Sequence, residues 1–137
     1  KKILNNTKKS IVFTGFVHQK ELYKYYNIAD IAVIPSLFQD PAPLVCIEAQ
    51  ATGTPLIATK VGGIPEYIDN KGTILIERNE KMVGNLSRKI EQLLNDDKLR
   101  EIMKERSKEN ALRYSVNHYY EKFNLIIEEI EKDKKNV

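Results

Sequence analysis

The chain has 137 residues, of which 42% are hydrophobic and 30% charged, a balance that excludes a disordered polymer and leaves room for one domain with a core but not for two. Its net charge of +3 comes from 22 cations scattered among 19 acids, with no basic stripe or aromatic–basic motif, so nucleic-acid binding draws no support. The single cysteine, Cys46, excludes an internal disulfide and a thiolate zinc site and fits a reducing compartment.

In chain order, Ile11-Val12-Phe13-Thr14 is β-branched and aromatic and stops at Gly15, which predicts a buried strand. Gln19 to Ala29 sets Leu22, Tyr25, Tyr26 and Ala29 at three-four spacing and predicts a helix. Asp30 to Ile34 predicts a second strand, ended by Pro35-Ser36. Pro43 suits the first turn of a helix over Leu44–Thr52 that buries Leu44, Ile47 and Ala51, and Gly53 stands where that helix stops. Pro55 to Thr59 predicts a third strand, Gly62-Gly63 opens a short helical turn through Ile68, and Thr73 to Ile76 predicts a fourth strand. Strands alternating with helices through short loops imply right-handed crossovers: an α/β fold, a Rossmann-like doubly wound parallel sheet of about four strands covered on both faces.

After Glu77 the period stays helical. Met82, Val83, Leu86, Ile90 and Leu93 mark one amphipathic helix, and Asp97 reads as the N-cap of a second carrying Leu99, Ile102 and Met103. Ser115 reads as the cap of a third, with Val116, Tyr119, Tyr120, Phe123, Ile127 and Ile130 along one stripe. Lys132 to Val137 is charged and expected to fray. No repeat or linker interrupts the chain, so residues 1–137 read as a single domain. No apolar run approaches the roughly 20 residues that span a bilayer. No signal-peptide core follows Lys1, and the first residue, not being Met, points to a trimmed start.

Ile31 to Ile68 is the segment that carries chemistry. A strand ends at Ser36, a loop holds Asp40, and a helix starts with free amides at Leu44 and Val45. In open α/β folds this carboxyl edge of the sheet is where ligands bind. Unpaired N–H groups and the helix dipole make such a helix start an anion site. Glu48 lies one turn in, too far to meet the anion but placed to accept hydrogen bonds from hydroxyls beside it. The residues therefore read as a site for a phosphorylated polyol, with a diphosphate on the helix end and sugars at the flanking acids. Blander readings stand beside this one. Asp40 also reads as a solvated loop acid, Glu48 as an exposed helix acid, and Gly62-Gly63 as turn geometry. Glu66 reads as a cap of its short helix, and Cys46 as a packed thiol rather than a nucleophile. His18 stands at the site edge, either against a base or in solvent, and His118 reads as surface. Tyr23, Tyr25 and Tyr26 read as helix core and rim.

The motifs Pro35-Ser36, Asp40-Pro41-Ala42-Pro43-Leu44, Glu48-Ala49, Gly53-Thr54-Pro55-Leu56-Ile57-Ala58-Thr59 and Gly62-Gly63-Ile64-Pro65-Glu66 follow a known order and spacing. With Val12 to Val17, Glu21-Leu22, Ala29-Asp30 and Tyr114-Ser115, they resemble the C-terminal, nucleotide-sugar-binding domain of retaining GT-B glycosyltransferases of the glycogen-synthase-like, family 4 or group 1 type. The resemblance implies that the two acids of the family's Glu-x7-Glu motif are Asp40, on donor-sugar hydroxyls, and Glu48, on the nucleotide ribose; these stand as the catalytic pair. It places the diphosphate on the backbone of Leu44 and Val45, makes Ala42 and Pro43 the rest of the donor loop, and sets Gly15-Phe16-Val17 near the base. Two residues depart from the pattern. Asp40 replaces Glu with a shorter acid, and Pro43 replaces Gly and offers no N–H.

The resemblance further implies transfer of a hexose from a nucleotide diphosphate sugar, UDP-sugar by family frequency, to a glycan or lipid-linked acceptor. Retention of configuration is expected, with no metal or other cofactor. The acceptor and any peripheral membrane contact belong to an N-terminal domain, and the location is the cytoplasm or the inner face of the membrane, in polysaccharide assembly. In the family two β-α units, the first carrying an Arg and a Lys for the diphosphate, precede the region matched here. Without them the chain is expected to be inactive alone, with an open sheet edge at Ile11–Thr14 that gives an unusual sheet or an edge-strand dimer. Rival readings are a sugar-nucleotide 2-epimerase, whose Thr-Glu-Arg-Pro-Glu-type segment is replaced by Gly62-Gly63-Ile64-Pro65-Glu66, and a catalytically degenerate nucleotide-sugar-binding module. A dinucleotide-binding domain is a third, but no strand is followed by Gly-x-Gly-x-x-Gly.

Overall fold

In a computed structural model that describes residues 11–135, the apolar run Leu56-Ile57-Ala58-Thr59 forms a strand whose four side chains are all buried. A strand without an exposed face needs cover on both sides, and period-two alternation divides its residues between two cores. Leu56 and Ala58 join Cys46, Ala49, Val61, Ile64 and Ile68 on one face, while Ile57 joins Ile76, Leu93 and Met103 on the other.

The elements follow in the order α1 (Gln19–Ile28), β1 (Ala32–Ile34), α2 (Leu44–Ala51), β2 (Leu56–Thr59), α3 (Ile64–Tyr67), β3 (Thr73–Ile76), α4 (Met82–Leu94), α5 (Asp97–Leu112) and α6 (Val116–Lys135). The sheet is parallel, ordered β1-β2-β3, with Ala32 opposite Leu56 and Leu56 opposite Thr73. The α/β architecture read from the alternation is therefore present, with three strands among the described residues where about four were expected. Ile11 to Thr14 is the difference: it carries no strand, and Ile11, Val12 and Phe13 are exposed. A strand exists only through its ladder, and among the described residues this segment has no partner, so β propensity alone does not order it. The edge anticipated there lies instead along β1, whose only partner among the described residues is β2.

Helix ends follow local chemistry. Gly53, at φ +75°, closes α2, with its N–H on Gln50 O (2.9 Å) and Thr54 N–H on Ala49 O (3.0 Å). The N-cap of α5 is Asp96 rather than Asp97: Asp96 Oδ1 accepts from Leu99 N–H at 2.8 Å, and Asp97, first in the helix, pairs with Arg100. Ser115 caps α6 as expected, accepting from His118 N–H at 3.2 Å. Along α6, however, Val116, Tyr119, Tyr120, Phe123, Ile127 and Ile130 are 40–83% exposed, because no other described element covers the stripe. α6 is helical through Lys135, and the remainder of the segment expected to fray, residues 136 and 137, lies outside the described residues.

α5 packs along α2 through polar groups as well as apolar ones. Gln50, fully buried, donates from Nε2 to Cys46 O (3.0 Å) and Tyr67 O (2.9 Å), while Asn110 Nδ2 donates to Gln50 Oε1 (2.6 Å) and Tyr67 O (3.2 Å). This amide pair locks α2, the end of α3 and α5 into one register, since a buried amide without its partner carries its full desolvation cost. Asn110→Ala is therefore expected to lower stability by about 1–3 kcal/mol. A urea titration should show that loss as a lower midpoint at unchanged slope.

Candidate functional site

In a parallel sheet all strands end on the same edge, so the loops after β1, β2 and β3 meet there. The loop after β1, residues 35–43, is fixed by the other two strands. Thr59 Oγ1, at the end of β2, donates to Ser36 O (2.7 Å), and Arg78, just past β3, donates from Nη1 to Leu37 O (2.7 Å). Gly63 N–H donates to Asp40 O (2.8 Å).

That last contact depends on two missing side chains. A Cβ at Gly62 would stand 2.6 Å from Asp40 O, and one at Gly63 would stand 2.2 Å from Pro41 O. Gly62 also sits at φ +52°. Gly62-Gly63 thus goes beyond turn geometry: its bare backbone lets the Asp40-Pro41 peptide lie directly against the start of α3.

Asp40 itself is exposed, and its Oδ1 accepts from Ala42 N–H at 2.9 Å, an Asx-type turn. Ala42 therefore has no free amide for a ligand. Pro43 is buried and is the N-cap rather than a first-turn residue of α2, one position earlier than its sequence suggests. The N–H groups of Leu44 and Val45 have no acceptor among the described residues, and both side chains are exposed. Leu44 and Ala51, expected in the core, face outward, and Ile47 is half-buried. The buried face is Cys46, Ala49 and Gln50, because α2 packs on α5 as well as on the sheet. The Cys46 thiol is pushed up to about 11, first by burial and then by the Asp40 charge, so it stays protonated and inert.

Glu48 is half-buried, and its Oε2 is enclosed with no hydrogen-bond partner. An unpaired buried acceptor costs about 1–3 kcal/mol, more when charged, so the site holds an unmet demand for a donor. Tyr26 of α1 packs against the cluster that holds Cys46 and Ala49, and its hydroxyl is held above its ordinary value by burial first and then by the Glu48 charge.

Gly15, Phe16 and Val17 are not gathered with these acids. Gly15 turns at φ +67°, Phe16 is 92% exposed, and Phe16 and Val17 line an open depression of about 550 Å³ with Thr14, His18, Glu21, Lys24, Tyr25 and Ile28. Its link to the α2 site is Tyr25, which also lines a second depression of about 540 Å³ along the β1 edge beside Tyr26, Ser36 and Val45. His18 is the N-cap of α1, with Nδ1 accepting from Lys20 N–H at 3.2 Å. His118 lies 4.0 Å from Glu121, and Glu66 is exposed.

Residues 4–110 match the family described as Glycosyl transferases group 1. The chain is 34% identical over 97 residues to the D-inositol 3-phosphate glycosyltransferase of Corynebacterium diphtheriae, covering 70% of this chain and 22% of that protein. It is 34% identical over 105 residues to a sulfoquinovosyl transferase of Arabidopsis thaliana, covering 75% and 20%. It is 44% identical over 61 residues to an uncharacterized glycosyltransferase of Methanocaldococcus jannaschii, covering 44% and 15%. The matched segments span about a fifth of the length of these relatives. No helix among the described residues is long and apolar enough to cross a membrane.

The glycine clamp predicts opposite outcomes for one substitution at two positions. Gly63→Ala forces the Asp40-Pro41 peptide away and should cost about 1–3 kcal/mol, as overpacking does. Gly84→Ala, within α4 and with open space at its Cβ, should gain about 0.5–1 kcal/mol. Denaturant titrations of both variants read the signs directly, and a shifted Ala42 amide resonance in Gly63→Ala alone places the first effect in the loop.

Proposed function

The chain belongs to the group 1 glycosyl transferases, and from that premise we propose that it holds the nucleotide-sugar donor of a retaining enzyme. The observation that carries this is Glu48: an enclosed carboxylate oxygen without a donor, one turn from a helix start whose Leu44 and Val45 amides have no acceptor among the described residues. An anion that also bears hydroxyls satisfies both demands at once, and a nucleoside diphosphate is such a molecule. Its diphosphate takes the two amides and the positive end of the α2 dipole. A ribose hydroxyl donates to Glu48. Asp40, exposed on a loop fixed at three points, faces the transferred sugar with Oδ2, since Oδ1 is used by Ala42.

In the proposed reaction the bond between the anomeric carbon and the diphosphate oxygen breaks, and the diphosphate leaves with the electron pair. An acceptor hydroxyl bonds to the same face of that carbon and gives up its proton to the departing phosphate. The contribution of this chain is electrostatic and positional: amides aimed at the charge that develops on the leaving group, and acids that hold the hydroxyls on either side. UDP is the proposed nucleotide and a hexose the proposed sugar. A relative named for D-inositol 3-phosphate fits an acceptor that is a small polyol, and one named for a sulfoquinovosyl group fits a hexose-type sugar as the group moved; the acceptor, a glycan or lipid-linked molecule on this proposal, is bound outside this chain. A cytoplasmic site, with membrane contact made elsewhere in the protein, is part of the same proposal, as is the assignment of residues 1–137 to a single donor-binding domain.

The test is ligand-observed NMR with UDP, GDP, ADP and NAD. Saturation transfer to the ribose and base of UDP is expected, with the affinity falling about tenfold to a hundredfold in Glu48→Ala, the loss of one hydrogen bond to a charged group. UDP binding that Glu48→Ala leaves untouched, or a preference for NAD, overturns the reading.

A further inference from the structure

Between β1 and α2 the chain leaves Leu37, Phe38, Gln39 and Asp40 exposed, Leu37 at 57% and Phe38 at 83%. Apolar burial does not hold this stretch, so its path depends on hydrogen bonds. Three of its carbonyls take a donor from another element: Ser36 O from Thr59 Oγ1 (2.7 Å), Leu37 O from Arg78 Nη1 (2.7 Å) and Asp40 O from Gly63 N–H (2.8 Å). Arg78 supplies the middle one, and of the two side-chain donors it is exposed while Thr59 is buried. The backbone of Arg78 is pinned on both sides. Before it, Lys60 N–H donates to Ile76 O (2.8 Å) and Lys60 Nζ pairs with Glu77 at 3.0 Å; after it, Asn79 Oδ1 accepts from Lys81 N–H (3.0 Å). The Glu77 carboxylate is occupied by Lys60, which leaves the guanidinium to the loop.

We propose that Arg78 is a positioning residue: by holding Leu37 O it fixes the path of the loop that aims Asp40 at the transferred sugar. This rests on the donor reading above, which sets Asp40 on the sugar, and adds what aims it. Leu37 lies between the anchors at Ser36 and Asp40, so the Arg78 bond decides how the chain runs from one to the other. The Ser36 hydroxyl donates to Phe38 O (3.1 Å) and accepts from Phe38 N–H (3.3 Å), but that closes a turn without tying it to the rest of the molecule. A guanidinium suits the task because it stays charged at any working pH and is weakly hydrated. Its bond to a carbonyl is stronger than a neutral one. At an exposed position the loss of that bond barely moves global stability, since water takes up the freed groups. An acid that must meet a sugar hydroxyl, however, loses its aim when its loop shifts by an ångström. Ordering the loop in the free protein also places that cost on folding rather than on binding.

The test compares the wild-type chain with Arg78→Met, which keeps the length and removes the donors, and with Arg78→Lys, which keeps a cation and a donor. Backbone NMR relaxation reads the loop without any ligand. Arg78→Met should lower the heteronuclear NOE from Leu37 to Asp40 and leave the urea midpoint where it was, and Arg78→Lys should restore most of that order. Calorimetry with UDP and UDP-glucose then reads recognition. The wild-type chain should bind UDP-glucose about threefold to tenfold more tightly than UDP, a gain that Arg78→Met abolishes while its affinity for UDP stays unchanged. In an Asp40→Ala background Arg78→Met should cost nothing further. An equal loss for both ligands makes Arg78 a direct anion contact and overturns the inference, as does a loop that keeps its order in Arg78→Met. If the wild-type chain binds neither ligand, the nucleotide reading fails and takes the sugar role with it. The relaxation data still decide whether Arg78 holds the loop, so the two failures are distinct.

Discussion

The burial of β2 on both faces is the constraint from which the rest of the molecule follows. Four consecutive buried residues need cover above and below, and α2 with α3 supplies one cover while α4 with α5 supplies the other. Parallel neighbours on each side then bring three strand ends to one edge. The candidate site is a consequence of that convergence. Its loop is held by a hydroxyl from the end of β2, a guanidinium from beyond β3 and a glycine amide from the start of α3, so displacing β2 would release every one of these tethers.

The two covers differ in how they are held. The face with Ile57, Leu93 and Met103 is an ordinary apolar core. The α2 side carries in addition the buried Gln50–Asn110 pair and the hydroxyls of Thr52 and Thr54. Apolar packing is tolerant of small shifts, whereas hydrogen-bonded amides and hydroxyls accept one geometry. Directional contacts are concentrated on the helix whose amides and Glu48 form the candidate site. That is where a displacement of an ångström changes chemistry rather than stability alone.

Much of this was legible in the chain. β2, β3, the stop of α2 at Gly53 and the cap of α6 at Ser115 are local matters of apolar runs, turn residues and caps, which the sequence states outright. Ile11 to Thr14 has the same composition as a buried strand and is not one, because a ladder is made with a partner and composition does not reveal whether the partner is there. The buried face of α2 was misread for a related reason: periodicity gives a stripe, but the packing of α5 against α2 sets which residues go under. In the site, Asp40, Glu48 and the free amides could be named from spacing. Thr59 and Arg78 could not, since each acts across 22 or more intervening residues through geometry that no local pattern encodes. Gly62-Gly63 did leave a signal, two adjacent residues without side chains, which the structure turns into a close backbone contact.

The two departures from the family pattern also acquire a physical meaning. Asp40 is short enough to fold back and take the Ala42 amide, and Pro43 has no amide to give, so the start of α2 is left with two free N–H groups, those of Leu44 and Val45. The nearby cations are committed too: Lys60 pairs with Glu77 at 3.0 Å, and Arg78 spends a guanidinium nitrogen on Leu37 O. On the proposed reading, anion binding by the described residues of this site therefore rests on two amides and a helix dipole, a contribution of about a kilocalorie per mole near an exposed surface. The ribose contact through Glu48 is then the stronger and more specific of the two, and the nucleotide is recognised at its sugar as much as at its charge. Salt should discriminate between them, since screening weakens the exposed anion contact and leaves a half-buried hydrogen bond largely intact.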